Sequence, residues 1–169
     1  MPKSFLLVLS DARGLSWVLA NQRMAFPPRR HAEVDALEPG DELLLVTTRG
    51  CFGNPTRDRT RIIGRATVTS QVVRLQDPVR IAEREFTRGC DLDITRLAPF
   101  RTGTELSPLV KSLAAFPNKR AWSMWMRRPL LPLSPTDSAT IRAAIGEFVQ
   151  DPRDSTPTYL EWTSARFGE

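Results

Sequence analysis

Histidine and cysteine are nearly absent from this chain: His31 is the one histidine, and Cys51 and Cys90 are the two cysteines. A structural zinc site takes four such ligands at paired spacing, and three scattered ones do not supply it, so no metal is expected. No cofactor is expected either. The apolar run after Met1-Pro2-Lys3 is too short for a signal peptide or a membrane span, so both thiols read as reduced and the expected compartment is the cytoplasm. A disulfide stays open at this point. His31 is the sole candidate for a histidine general base. It follows Pro27-Pro28-Arg29-Arg30 in a polar loop with no nucleophile near it in sequence, and reads as a surface residue.

Lysine is scarce too. Of 24 basic residues only Lys3, Lys111 and Lys119 are lysines, which leaves 21 arginines against 19 acidic residues and a formal net charge of +5. The guanidinium fork suits phosphate and its plane stacks on bases, so this bias fits nucleic acid better than a lipid surface. A genome-wide preference for arginine codons gives the same count. At 169 residues the chain is one domain by size, with no room for a second, catalytic one. Its 41% hydrophobic and 25% charged content is ordinary for a soluble globular protein. No internal repeat or low-complexity block interrupts it.

What is present is organised around residues 39–73. A Pro39-Gly40-Asp41 turn feeds the apolar run 42–48, and after the loop 49–60 a β-branched run begins at Arg61-Ile62-Ile63. Two such runs predict strands buried in a sheet or closed barrel. Gly50 and Gly53 bracket Phe52, which lets the loop hold an aromatic ring at the barrel mouth. Arg57, Arg59 and Arg61 stand at every second position. On an extended strand they share a face that suits a row of phosphates, or they guard a hairpin edge.

Upstream, residues 4–10 predict an inner strand. Ser10 and Asp11 end it and cap or precede a helix over 15–24, with Trp17 off the apolar face, either packed into a neighbouring layer or lining a strand-end cleft. Residues 25–38 read as a surface connection. Downstream come a turn at 75–78, an extended segment over 79–86, a break at Gly89 and a strand over 90–97. Asp91 and Asp93 fall on the wet face of that strand rather than in a metal site.

A short helix is expected over 107–113. Residues 118–129 then interleave Trp122 and Trp125 with Arg120, Arg127 and Arg128, the mixture that a single-stranded or flipped-base site needs, and equally that of a buried aromatic cluster with a basic rim. A strand over 130–133 leads to Ser134-Pro135-Thr136-Asp137, a capped start for a helix over 139–149 on an Ile141, Ile145, Phe148 face. Residues 151–157 read as a linker, with Tyr159-Leu160-Glu161-Trp162 tethering a tail to the body or to a partner. The expected organisation is a domain over 1–150 and a C-terminal tail over 151–169.

The order of these features resembles the EVE domain of the PUA-like superfamily. Shared are the strand followed at once by a polar turn and a Trp-bearing helix, the Pro-Gly-Asp turn into a buried strand, the loop Gly50-Cys51-Phe52-Gly53 and the returning strand Ile62-Ile63-Gly64-Arg65-Ala66-Thr67-Val68. The second half adds Leu106-Ser107-Pro108-Leu109-Val110, Phe116-Pro117-Asn118-Lys119, Trp122, Arg127-Arg128-Pro129-Leu130, Ser134-Pro135-Thr136-Asp137 and Ile141, so that the resemblance covers residues 4–150. It implies an α+β fold, a small PUA-like β pseudo-barrel with flanking helices, similar to YTH and ASCH domains. The implied activity is non-catalytic binding of nucleic acid, modified DNA or RNA, with the modified base in a pocket. The sequence departs from the family where Ser10 and Thr47-Thr48 stand at places commonly aromatic.

Residues and resemblance together locate the base pocket at the strand ends, lined by Ser10, Asp11, Trp17, Thr48, Arg49, Phe52 and Trp122. Trp17, Phe52 or Trp122 stacks on an extruded base, while Ser10, Asp11 and Thr48 read its edge. Arg57, Arg59, Arg61, Arg127 and Arg128 hold phosphates. Two rivals remain: an enzyme acting on a nucleotide or small ligand with Asp11 as general base, and a protein-interaction module using the tail around Tyr159 and Trp162. The sequence leaves the oligomeric state open.

Overall fold

Past its first residue, the segment Ser4–Leu9 is apolar at every position because both of its faces are buried. Phe5, Leu7 and Leu9 enter one core and Leu6 and Val8 a second one on the other side of the sheet. Glu42–Thr47 divides the same way, with Leu43 and Leu45 on the first side and Leu44 and Val46 on the second. Side chains alternate across a strand, so a run without polar interruption is what a two-sided core requires.

The computed structural model describes residues 2–146 and 150–168. In chain order the elements are β1 (Ser4–Leu9), α1 (Ala12–Asn21), β2 (Arg23–Phe26), α2 (Ala32–Asp35), β3 (Glu42–Thr47), β4 (Arg61–Val68), β5 (Val73–Ile81), β6 (Arg84–Leu97) and β7 (Thr104–Glu105). Two 3-10 helices, Ser107–Ser112 and Trp122–Arg127, precede β8 (Leu130–Leu133), α3 (Pro135–Ile145) and α4 (Pro152–Phe167). The sheet runs β2-β6-β4-β3-β1-β8, with β5 added to β6 and β7 to β4. β1 and β3 are parallel, and the other pairs are antiparallel. Register shifts at Leu45/Val46 and Arg65/Ala66 help to curl it into a half-barrel. One core lies under α1 and α4, the other under α3 and the 3-10 helices.

Several local expectations change. The first helix starts at Ala12, capped by Asp11, and stops at Gln22 in a left-handed conformation, with φ 53°. Gln22 is tied to β6: its carbonyl accepts from Leu92 N and its Oε1 from Ile94 N, both at 2.9 Å. Met24, expected on the helix, therefore falls in β2. The expected surface connection 25–38 holds the end of β2 and all of α2 and carries fully buried Phe26 and Val34. Pairs of elements this short leave no period to detect. Residues 57–60 are loop, so Arg57 and Arg59 do not share a strand face.

The segment 79–86 is not one strand but a hairpin. Ala82 and Glu83 both have positive φ, 52° and 66°, the two central positions of a primed turn without the usual Gly or Asn. The turn expected at 75–78 is instead an irregularity within β5, between Arg74 and Val79. Gly89 does not break β6. A Cβ there would lie 2.6 Å from the Met24 carbonyl, so glycine permits the close passage of β2.

The strand over 130–133 and the cap at Ser134 are as expected, with Ser134 Oγ accepting from Asp137 N at 3.1 Å. Phe148, assigned to the apolar face of the following helix, lies outside the described residues. The segment read as a linker opens α4: Asp151 caps it and Pro152 occupies the first turn. Tyr159 is 1% exposed and donates to the Ala98 carbonyl at 2.8 Å, and Ser155 donates to the Leu97 carbonyl at 3.0 Å. Both cysteines are free and buried. Burial, the largest influence, pushes the Cys90 thiol up to about 12 and the Cys51 thiol upward as well, so neither is a reactive thiolate. Among the described residues, no helix is long and apolar enough to cross a membrane, and no group of three or more His, Cys, Asp or Glu is placed to hold a metal.

Candidate functional site

The half-barrel does not close, and a cavity of about 320 Å³ occupies the seam between its two ends. The edge strand β2 gives it Met24 and Ala25, and the approach to the opposite edge strand β8 gives it Met126, Arg127, Arg128 and Pro129. Between them β1 ends, contributing Val8, Leu9 and Ser10, and α1 begins, contributing Asp11, Gly14, Trp17 and Val18. The tip of the β5–β6 hairpin adds Ile81, Ala82, Arg84 and Phe86, and the approach to α2 adds Pro27, Arg29 and His31. A cavity of this volume whose lining combines apolar and aromatic side chains with Ser10, Asp11, His31 and four arginines has the size and make-up of a small-ligand site.

Asp11 is the most tightly held of these groups. Its Oδ1 accepts from the Arg13 backbone N at 2.8 Å and from Arg13 Nε at 3.0 Å, and its Oδ2 accepts from Arg13 Nη2 at 2.8 Å. Burial works against the charge on Asp11 and is the largest single influence, but the hydrogen bonds from Arg13, with the charges of Arg13 and Arg84, outweigh it and hold the carboxyl below its ordinary value. Asp11 is thus an ionised, acceptor-only group.

Three aromatic rings carry guanidiniums, and each pair includes a residue of the cavity lining. Arg23 lies over Trp17 at 6.0 Å, Arg84 over Phe86 at 5.6 Å and Arg128 over Trp125 at 4.7 Å. Arg128 also pairs with Glu33 at 3.5 Å. Among the described residues no ion pair takes up Arg29, Arg84 or Arg127. Chemically, the arrangement offers flat walls, one fixed carboxylate and uncommitted positive charge. It offers no activated nucleophile.

Of the seven residues assigned to the base pocket, three converge here: Ser10, Asp11 and Trp17. The other four lie elsewhere. Thr48, Arg49 and Phe52 follow β3 into a loop that tucks against the start of α1, where Ala12 N donates to the Cys51 carbonyl at 2.9 Å. Phe52 is 7% exposed, with Phe100 edge-on at 5.2 Å and Trp162 of α4 at 5.5 Å. Arg49 is exposed. Trp122 packs edge-on against Phe116 at 6.2 Å, beside the second core. Of the five phosphate candidates, Arg127 and Arg128 line the cavity. Arg59 and Arg61 border a separate void of about 10 Å³, space for one water at most, and Arg57 is an exposed loop residue.

Sequence reasoning missed His31, Phe86, Arg29 and Arg84 as lining residues. His31 and Arg29 sit in the stretch taken for a surface loop. Phe86 and Arg84 depend on the hairpin, whose turn is written in alanine and glutamate. The alternation Val79, Ile81, then Arg84, Phe86 across a two-residue gap was the available signal.

No protein-family model matches the chain, and no curated protein matches it. Solved structures do. The human THYN1 protein in complex with DNA containing 5-methylcytosine superposes with a TM-score of 0.52 at 11% identity, over 83% of this chain and 96% of that one. The Mmi1 YTH domain in complex with RNA gives 0.58 at 8% identity, over 86% and 79%. Rpa0253 from Rhodopseudomonas palustris gives 0.54 at 14%, over 86% and 94%. The narrower EVE assignment is met by no family model. At these identities the likeness is one of architecture, and it establishes the α+β, PUA-like fold of this chain: a curled half-barrel sheet with flanking helices, of the kind THYN1 has.

Proposed function

We propose that this protein is a non-catalytic nucleic-acid-binding module that receives a modified base in the seam cavity. One observation carries the reading: a single cavity of about 320 Å³ brings Trp17 and Phe86 together with the edge-reading groups Ser10 and Asp11 and with Arg29, Arg84 and Arg127, which form no ion pair among the described residues. Aromatic walls accept the face of an extruded base, and the arginines at the rim hold the phosphates on either side. The structures of human THYN1 with 5-methylcytosine DNA and of the Mmi1 YTH domain with RNA support it, since proteins of this fold are found holding nucleic acid of both kinds.

Of the predicted stacking rings Trp17 keeps that role in this reading, and Phe86 takes the place assigned to Phe52 and Trp122. An enzymatic reading with Asp11 as general base is disfavoured by its chemistry, because a carboxylate held by Arg13 is a poorer proton acceptor than a free one. A partner-binding reading of Tyr159 and Trp162 is disfavoured by their packing against the first core.

The test is a fluorescence titration with plain and base-modified single strands, DNA and RNA, at two salt concentrations. Saturable binding that favours a modified strand and weakens as salt rises is expected, because each phosphate contact releases counterions. No binding to any strand removes the proposal.

A further inference from the structure

The carboxylate at the cavity wall is braced from outside the cavity. Arg13 engages both oxygens of Asp11, and its guanidinium lies over the ring of Phe167 with 4.4 Å from carbon to ring centroid. Phe167 is the last residue of α4, and its ring stands 6.4 Å from Trp162, which packs on Phe52 and Phe100. Ser16 of α1 donates to Thr163 of α4 at 2.7 Å, which fixes the two helices to each other beside this contact. A guanidinium held between a ring face and a carboxylate has little freedom left.

The hydrogen-bond count of Asp11 then matters. A carboxylate offers about four acceptor positions. Arg13 fills two on Oδ1, with its backbone N and Nε, and one on Oδ2, with Nη2. One position remains, on Oδ2, and it can only accept.

We propose that Arg13, braced by Phe167, is the positioning residue of the cavity: it fixes Asp11 with a single acceptor position left, so that the cavity selects rings presenting an amino group at that edge over rings presenting a carbonyl. The proposal rests on the reading of the cavity as a base pocket. A carbonyl set against that oxygen leaves acceptor facing acceptor, whereas an amino group donates into a charged partner. The C-terminal helix thereby takes part in recognition without touching the ring. Other charged or titratable groups face the same place. Arg84 and Glu83 do so from the hairpin tip, Arg29 and His31 from the approach to α2, and Arg127 and Arg128 from the approach to β8, while Cys51 lies beneath as a buried neutral thiol.

The experiment uses the full chain as wild type, Arg13→Ala, Arg13→Lys and Phe167→Ala, with melts to verify folding. Arg13→Ala keeps the backbone N–H that caps α1. The probes are short single strands carrying one 5-methylcytosine or one thymine, and one adenine or one hypoxanthine, pairs that differ by amino against carbonyl in nearly the same outline. The wild type favours the amino member of whichever pair it binds, by about tenfold. In Arg13→Ala that preference falls to about twofold or less, and the acid limb of binding moves to higher pH, since burial then acts on Asp11 opposed only by the backbone N–H of residue 13 and the charge of Arg84. Arg13→Lys restores part of both, and Phe167→Ala shifts both in the same direction as Arg13→Ala. A preference and an acid limb unmoved by Arg13→Ala overturn the proposal. So does a wild type that prefers the carbonyl members, or an acid limb that disappears in His31→Gln. A wild type that binds none of the four strands sinks the base-pocket reading itself, whereas binding with a preference indifferent to Arg13 sinks only the positioning role.

Discussion

The carboxylate of Asp11 caps α1 through the Arg13 amide and takes the Arg13 guanidinium on both oxygens, so one side chain serves stability and the cavity at once. Asparagine is as good a cap as aspartate, so Asp11→Asn is expected to melt close to the wild type near neutral pH, less the ion pair with Arg13. The pH dependence separates the two. Because the folded carboxyl sits below its ordinary value, ionisation of Asp11 stabilises the fold above the ordinary carboxylate range, and this contribution is lost as pH falls through the lowered value. Thermal melts across the acid range are expected to show the gap between wild type and Asp11→Asn shrinking as pH falls; a gap that widens contradicts the assignment. At this scale the sequence was legible where recognition is local. Ser10, Asp11 and Trp17 lie within eight positions of one another at a strand-to-helix junction, and a cap next to an off-face tryptophan is visible in the letters alone. Phe86 and His31 meet them only through the tertiary fold.

Among the elements, the β5–β6 hairpin and α4 differ most from the sequence reading, each for a stated reason. The hairpin turns on Ala82 and Glu83, residues that ordinarily avoid positive φ, so its turn carried no mark. α4 begins with Asp151-Pro152-Arg153-Asp154, the same cap-and-proline grammar as Ser134-Pro135-Thr136-Asp137, and the prolines at 152 and 157 disguised it as a linker. Both elements invite measurement. Gly89→Ala forces a Cβ to within 2.6 Å of the Met24 carbonyl and so pushes β2 from β6 at the cavity edge. A loss of about 1–3 kcal/mol in denaturant unfolding is expected, and an unchanged midpoint would show that the strands do not need the close approach. Tyr159 anchors α4. Removing only its hydroxyl in Tyr159→Phe is expected to cost about 1 kcal/mol, for the bond to the Ala98 carbonyl, while Tyr159→Ala costs about 3–5 kcal/mol because the ring leaves a hole in the first core. Equal, negligible losses would mean that α4 is only loosely attached.

For the molecule as a whole, the architecture was the most legible level, because it rests on long two-sided strands. The uninterrupted runs of β1 and β3 predict strands buried in a sheet or closed barrel, and the order of motifs around them resembles that of a small PUA-like pseudo-barrel with flanking helices; the α+β, PUA-like fold is what the structure has, as a curled half-barrel. Of the two strand ends at which the cleft was expected, that of β1 lies on the cavity and that of β3 does not. The seam between β2 and β8 is formed by segments more than 100 residues apart in sequence, and nothing local announces that they meet. Net charge of +5 adds a general attraction to polyanions, which salt weakens, and so does not by itself distinguish a reader from any basic protein. On the proposed reading the distinction lies in Trp17 as a stacking wall. Titrating the same base-modified single strand against the wild type and against Trp17→Ala, at one salt concentration and with folding verified by melting, tests the account most directly. A loss of about tenfold or more in affinity, as removal of a stacked ring gives, is predicted; equal affinity for the two proteins contradicts it.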